Sequence, residues 1–264
     1  MIEEFIIYLF VVLIGLAVGS FLNCLIYRMS VDEKPTGKSY CPKCKNELGV
    51  RDLIPLFSYF FLKGRCRYCR ESISLQYPLV EFFTGLTFFL VVYHLKIPNY
   101  LFQVIEVLLV LSIFSLLIFI FVYDLKHYII PNKIIYPAIF LALILTLLRF
   151  LNAGDLMILV NHLLTGIFFF LFFLSIYLLT QRKGIGFGDV RYALFFGIFL
   201  GAPAGLVGMF SSFVIGAIIG IALMILKKKG RKDMIPFGPF LVFGTYFGFF
   251  MGEIVINFYL GLII

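Results

Sequence analysis

The feature that most constrains this fold is a series of long apolar runs that together occupy most of the chain. A run of about 18 or more apolar residues is long enough to cross a bilayer as an α-helix. The chain is 62% hydrophobic and 14% charged, whereas about a quarter of the residues of a soluble globular domain are charged. We therefore predict an all-α polytopic protein embedded in a lipid bilayer.

The apolar runs predict about eight transmembrane helices, at 5–27, 79–95, 100–123, 134–151, 158–180, 190–206, 207–226 and 240–262. Only the short stretch "GAPAG" separates the sixth run from the seventh, so these two are the hardest to tell apart. The segment 28–78 is polar and is the one stretch long enough to form a soluble subdomain.

Basic residues fall mainly on one side of the predicted membrane. If eight helices alternate, twenty Lys and Arg residues lie on one side, and only Lys96 and Arg149 lie on the other. Since cytoplasmic loops collect Lys and Arg, the polar segment is predicted to face the cytosol and both termini to face outside. The net charge of +8 is thus a mark of topology, and we predict no nucleic-acid partner.

Four of the five cysteines form two C-x2-C pairs in the polar segment, and they are Cys41, Cys44, Cys66 and Cys69. Two such pairs present four thiolates to one ion, as in a closed tetrahedral structural zinc site. Two disulfides or a redox pair are the alternative, but stable disulfides are rare in a reducing compartment. We predict structural Zn2+, whose binding supplies much of the folding energy of this small subdomain.

Two aspartates lie at the edges of predicted spans. Asp124 closes the third span in "FVYDLKHYIIPN", and Asp189 opens the sixth in "GIGFGDVRY". With alternating helices, both lie at the cytoplasmic edge of the membrane and can face one cleft. Ionisable groups at membrane depth are costly and usually functional, so this pair is the candidate catalytic site.

Each aspartate also has a simpler explanation, because Asp189 is suited to capping a helix N-terminus and Asp124 to a solvated helix end. The neighbouring residues favour a functional role. Gly186 and Gly188 let the backbone approach closely just before Asp189, and Pro131 breaks the helix shortly after Asp124. The residues alone leave both explanations open.

Two carboxyl groups in one protected site are suited to peptide hydrolysis. One carboxylate activates water while the other, protonated, polarises the scissile carbonyl. The helix dipole favours negative charge at a helix start and disfavours it at a helix end. Asp189 is therefore predicted to be the base and Asp124 to hold the proton, provided that the third helix ends at Asp124.

Nearly the whole chain resembles the type IV prepilin peptidases, which are integral-membrane aspartic proteases of the G-x-G-D type. "GSFLNCLIYR" is similar to the family's first-helix motif, and the cysteine pairs with "DLIPLFSYFFLKGRCRYC" and "ISLQYPLVE" are similar to its cytoplasmic zinc segment. "DLKHYIIPN" and "GIGFGDVRY" resemble its two catalytic-aspartate motifs, and "IPFGPFL" resembles the start of its last helix.

The resemblance implies a multi-pass endopeptidase of the bacterial inner membrane that uses Asp124 and Asp189 and binds zinc through the four cysteines. It also implies removal of a short basic leader, typically after a Gly, from type IV pilin-like precursors on the cytoplasmic face. Many members then methylate the new N-terminus with S-adenosylmethionine. The implied domains are a first transmembrane helix, a zinc-binding subdomain and a catalytic transmembrane domain of about seven helices, at 1–27, 28–78 and 79–264.

Two residues depart from the family's usual pattern, because the family commonly has Asp at the position of Asn132 and Lys at that of Arg191. Both positions flank the aspartates. Glu81, at the head of the second span, is a candidate to meet the positive charge of a leader. The alternative is a Glu stabilised by the helix dipole in a first turn.

Other functions are compatible with parts of the sequence. A G-x-G-D intramembrane protease could act on another substrate class, since that motif alone does not choose the substrate. A proton-coupled transporter would place its acids near the bilayer midplane. A non-catalytic zinc-bearing scaffold would leave the glycine–aspartate motif without a role. The order of all the motifs favours the prepilin peptidase.

Overall fold

The computed structural model describes residues 2–182, 184–228, 230 and 233–263. Most of this part of the chain is α-helical. The segment 31–75 is the exception, since it consists mainly of turns and loops with one short α-helix, one 3-10 turn at Val50–Asp52 and two isolated β-bridges. The predicted all-α architecture is confirmed. The α-helices are α1 (Ile2–Ser30), α2 (Phe57–Phe61), α3 (Gln76–Leu95), α4 (Leu101–His127), α5 (Asn132–Ala153), α6 (Leu156–Leu179), α7 (Phe187–Leu200), α8 (Ala204–Ile225) and α9 (Gly238–Ile263).

Seven of the described helices are long and apolar enough to cross a bilayer. The sixth of the eight predicted spans, 190–206, corresponds to α7, which has only 14 residues and is capped by Gly201 with a φ of 65°. At about 1.5 Å per residue, α7 is about 21 Å long, shorter than the roughly 30 Å hydrocarbon core. Its apolar side chains are instead enclosed by protein, with 0% exposure at Val190, Tyr192 and Phe196.

The chain divides into two compact units, residues 1–107 and 108–264, with the division inside α4. In the first unit, α1 packs along α3 through small residues. A Cβ atom added at Gly15 would lie 2.8 Å from the Cα atom of Gly85, and one added at Gly19 would lie 2.7 Å from the Cα atom of Glu81. Such close backbone approach is typical of membrane helix pairs, which associate through packing rather than through the hydrophobic effect.

In the second unit, α7 lies between α5, α6 and α9, and α8 packs along α9. Glycines again allow close contact, because a Cβ atom at Gly197 would lie 2.5 Å from the backbone nitrogen of Gly166. Tyr192 of α7 shares a buried hydrogen bond of 2.9 Å with Thr245 of α9. These contacts hold the start of α7, and with it Asp189, in a fixed position among its neighbours.

Candidate active site and cysteine cluster

Asp189 lies in the first turn of α7 and is 9% exposed. Its Oδ2 atom accepts a hydrogen bond of 3.1 Å from the backbone N–H of Gly186, the residue before the helix. The capping role considered for Asp189 is therefore present in the structure. This role uses only the Oδ2 atom of Asp189. Within the described residues, no hydrogen bond is found to its other carboxylate oxygen, Oδ1.

Gly188 lies where the turn before Asp189 meets the connection that follows α4. A Cβ atom at this position would lie 3.0 Å from the Cβ atom of Ile130. Ile130 is itself buried and immediately precedes Pro131, the N-cap residue of α5. The glycine therefore permits a close approach between the two segments that carry the aspartates.

Asp124 lies in the last two turns of α4 and is 4% exposed. The helix continues beyond it to His127, and Tyr128 then adopts a left-handed φ of 58°. Asp124 was predicted to hold the proton only if the helix ended at that residue. Helix α4 does not end there. The argument from the helix dipole therefore does not decide which aspartate is the base.

Gly238, the first residue of α9, contacts Asp124 directly. Its backbone N–H donates a hydrogen bond of 3.0 Å to Oδ2 of Asp124, and a Cβ atom added at this glycine would lie 2.5 Å from the same oxygen. The "IPFGPFL" motif was expected only to start the last helix, and no role was predicted for this glycine. The glycine followed by a proline at the start of an apolar run was the available clue, since proline favours the first turn of a helix.

Asp124 and Asp189 both lie in the second unit, near enough for an electrostatic interaction between their carboxyl groups. The carboxylate of Asp124 accepts a hydrogen bond from the backbone N–H of Gly238, and that of Asp189 accepts one from the N–H of Gly186. Two buried carboxyl groups at close range are most stable when they share one proton. A pair of this kind would suit acid–base catalysis, and that role for Asp124 and Asp189 stays a prediction.

The two residues that depart from the family pattern contact each other. The guanidinium group of Arg191 donates a hydrogen bond to Oδ1 of Asn132. It also lies 4.5 Å from the ring centre of Phe187 and 5.5 Å from that of Tyr136. The contact ties the start of α5 to α7. An Asn and an Arg thus make a neutral-to-charged hydrogen bond where Asp and Lys would make an ion pair.

The sulfur atoms of the four paired cysteines all lie within 4.8 Å of one another. A tetrahedral zinc site with Zn–S distances of about 2.3 Å separates its sulfur atoms by about 3.8 Å, and the Sγ atoms of Cys41 and Cys69 are 4.0 Å apart. All five cysteines of the chain are free thiols. The cluster therefore fits one tetrahedral metal ion, and the disulfide alternative is not what the structure contains.

The two cysteine pairs are held by the same backbone turn. The N–H of Cys41 donates to the carbonyl five residues later, at Asn46, and the N–H of Cys66 does the same to Glu71. The residue after each pair has a left-handed backbone, with φ of 60° at Lys45 and 63° at Arg70. Two equivalent turns face each other and supply two thiols each.

Backbone donors also affect the thiols themselves. Burial raises the pKa of Cys66, but the backbone N–H groups of Cys69 and Tyr68 and the thiols of Cys41 and Cys69 together outweigh it and bring this pKa down to about 7. At Cys69 the N–H of Glu71 lowers the pKa, while burial and the other three thiols raise it to about 11. The turn thus favours a thiolate at Cys66, whereas the neighbouring thiols disfavour a second thiolate at Cys69.

We expect the purified chain to contain about one zinc ion, because four thiolates saturate a tetrahedral site. Cys66→Ser should remove most of the metal and make residues 28–78 sensitive to proteases, as measured by elemental analysis and limited proteolysis. Cys24→Ser is the matched control, since Cys24 lies outside the cluster, and it should keep its zinc. Equal metal content in both variants would contradict the four-cysteine site.

Glu81 lies in the second turn of α3 and is 7% exposed. Its Oε2 atom accepts a hydrogen bond of 2.8 Å from the backbone N–H of Leu56, which has a left-handed φ of 61°. On α1, a Cβ atom added at Gly19 would lie 2.7 Å from the Cα atom of Glu81, so this helix packs directly against the same residue. Glu81 thus joins α1, α3 and the polar segment, and a role with a basic leader stays a prediction.

Comparison with known proteins covers nearly the whole chain. Residues 13–95 match the bacterial peptidase A24 N-terminal domain, and residues 111–221 match the type IV leader peptidase family. The chain is similar to the prepilin leader peptidase/N-methyltransferase of Aeromonas hydrophila, with 31% identity over 95% of this chain and 92% of that protein. It is similar to the proteins of the same name from Legionella pneumophila, at 30% identity over 96% and 94%, and Bacillus subtilis, at 29% over 93% and 95%. No solved structure matches the chain.

Proposed function

The chain belongs to the type IV leader peptidase family, and from that premise we propose that it removes the leader from type IV pilin-like precursors. The observation that carries this proposal is the pairing of Asp124 and Asp189. They come from different helices, both are buried, and each carboxylate is held by a backbone N–H. A pair of carboxyl groups fixed in this way can hydrolyse a peptide bond without another catalytic group.

We propose that Asp124 and Asp189 share the acid and base roles. One carboxylate takes a proton from water, and the resulting hydroxide adds to the scissile carbonyl carbon. The other carboxyl group gives its proton to the carbonyl oxygen. When the tetrahedral intermediate breaks down, the C–N bond breaks and the amine leaves with a proton from the first aspartate. A hydroxyl proton of the intermediate returns to the second aspartate, and the leader keeps the new carboxyl group.

We further propose that cleavage follows a Gly at the end of the basic leader and occurs on the cytoplasmic face. The distribution of Lys and Arg supports this orientation, with ten such residues in 28–78 and five in 227–232. The cysteine segment then also lies on the cytoplasmic side, where its thiols stay reduced.

A second activity, methylation of the new N-terminus, is proposed from the names of the relatives. S-adenosylmethionine supplies the methyl group, which passes from a sulfonium to the free amine with loss of a proton from that amine. The clustered cysteines would hold zinc in a structural role, because four protein ligands leave no open coordination position for a substrate.

The direct test is to incubate the purified chain with a synthetic precursor and S-adenosylmethionine and to measure the product masses. Cleavage after the leader Gly is expected, together with a gain of one methyl group on the mature peptide. A precursor with the Gly replaced by a bulky residue is the matched substrate control. If folded, metal-loaded protein leaves the precursor intact, the proposal is wrong, and a scaffold or a different substrate class becomes the better explanation.

A further inference from the structure

The surface of α2 is unusually apolar for a segment that is otherwise polar. Ile54, Phe57, Phe60 and Phe61, here called the α2 patch, have exposed fractions of 45%, 57%, 71% and 83%. Clusters of exposed large apolar side chains are uncommon on surfaces that face water, and they mark contacts with proteins or membranes. The α2 patch therefore needs a partner.

The position of α2 along the membrane helices indicates which partner it has. Leu56, immediately before α2, donates its N–H to Glu81 in the second turn of α3, and the backbone of Glu81 packs closely against Gly19 of α1, next to Ser20. Helix α1 continues to Ser30, about 15 Å beyond Ser20 at 1.5 Å per residue. The α2 patch thus lies beside the α1–α3 pair and not beyond its end.

Neighbouring side chains at this level already face outward from the helix pair. Phe21 of α1 is 57% exposed, and Leu79 and Phe82 of α3 are both 50% exposed. Because α1 and α3 are long and apolar enough to cross a bilayer, these side chains face lipid. The α2 patch continues the same apolar surface toward the polar segment.

Charge around the α2 patch points to anionic lipid. Arg51 and Arg67 line a cavity of about 430 Å³ together with residues of the patch, and Lys63 lies two residues beyond the end of α2. From 50 to 70 the sequence has five Lys or Arg residues and a single acidic residue, Asp52, which is paired with Arg67 at 2.6 Å. Apolar side chains flanked by cations are typical of segments that lie in the membrane interface.

We propose that the α2 patch anchors the cysteine-containing segment in the bilayer interface. The phenylalanine rings lie at the boundary between headgroups and acyl chains, and Arg51 and Lys63 contact the phosphates of anionic lipids. The partner is a lipid surface rather than a precursor or a second copy of the chain. This anchor is separate from the proposed proteolysis and uses none of its residues.

The chain contains no Trp, so Phe61→Trp introduces a single tryptophan, which can be excited selectively, into the full-length protein. In vesicles containing phosphatidylglycerol, its emission should be blue-shifted and should fall roughly twofold with lipids brominated near the headgroups, as expected for an interfacial side chain. Phe82→Trp on α3 is the lipid-facing control. Tyr68→Trp, between the paired cysteines, is the water-facing control and should respond to aqueous acrylamide instead.

Three results would overturn the proposal. Acrylamide quenching of Phe61→Trp equal to that of Tyr68→Trp would show that the α2 patch faces water. Blue-shifted emission that neither quencher reduces would show that protein covers it, either a second copy or another chain. The third result is quenching of Phe61→Trp by brominated lipids that is the same in neutral and in anionic vesicles. If adding Arg51→Gln and Lys63→Gln to this protein also leaves the quenching unchanged, the headgroup contact is excluded.

Discussion

Replacing either Asp124 or Asp189 with Asn is expected to reduce leader cleavage by about 10³-fold or more. A single group acting as general acid or base contributes about 10²–10⁴-fold, and the two act as one unit here. Asparagine keeps the size of the side chain and can still accept a hydrogen bond from Gly238 or Gly186. The loss should therefore appear in kcat, measured from the initial rate of product formation in detergent.

Asp155→Asn makes the same chemical change at an exposed helix cap, where Asp155 accepts a hydrogen bond of 2.8 Å from the N–H of Met157. Asparagine caps helices as well as aspartate does, so this control should cleave at the rate of the unchanged protein. Methylation of a pre-cleaved peptide should persist in all three variants. Full cleavage by either the Asp124 or the Asp189 variant would remove that residue from the mechanism.

Gly238→Ala is expected to reduce cleavage by about 10²-fold while the protein remains folded. The added Cβ atom would lie 2.5 Å from Oδ2 of Asp124, so either the carboxylate or the start of α9 must move. A displacement of about 1 Å at a catalytic group can cost roughly 10²-fold in rate. The variant should be assayed together with its thermal unfolding midpoint.

Gly261→Ala is the matched control, because it lies near the other end of α9 and a Cβ atom there has no neighbour within 4 Å. It should change neither the rate nor the unfolding midpoint. If Gly238→Ala cleaves normally, the hydrogen bond to Asp124 has no catalytic importance. If both variants lose activity, α9 itself tolerates no added volume, and the local explanation is wrong.

The chemistry of the site was more visible in the sequence than its geometry. The paired cysteines and the two glycine- or proline-flanked aspartates are local patterns, and hydrophobicity alone locates the long helices. The contact between Asp124 and Gly238 joins residues 114 positions apart, and that between Asn132 and Arg191 joins residues 59 positions apart. No local pattern encodes such pairings, because they depend on how the helices pack.

The two points at which sequence analysis differed from the structure have a common physical origin. Hydropathy detects apolar surface, but it detects neither backbone hydrogen bonds nor what covers that surface. It therefore ended the third span near Asp124, whereas the hydrogen-bonded helix continues to His127. It also assigned a full span to α7, whose apolar residues are buried among other helices and which is only 14 residues long.

The hydrogen bond from Gly238 has a consequence for biosynthesis. Both aspartates emerge from the ribosome well before α9, which packs against α8 and α7. Until α9 is inserted, Asp124 lacks the backbone donor that holds its carboxylate. On the proposed mechanism, a nascent chain would therefore carry both acids in an inactive arrangement, and proteolysis would begin only after α9 has been inserted.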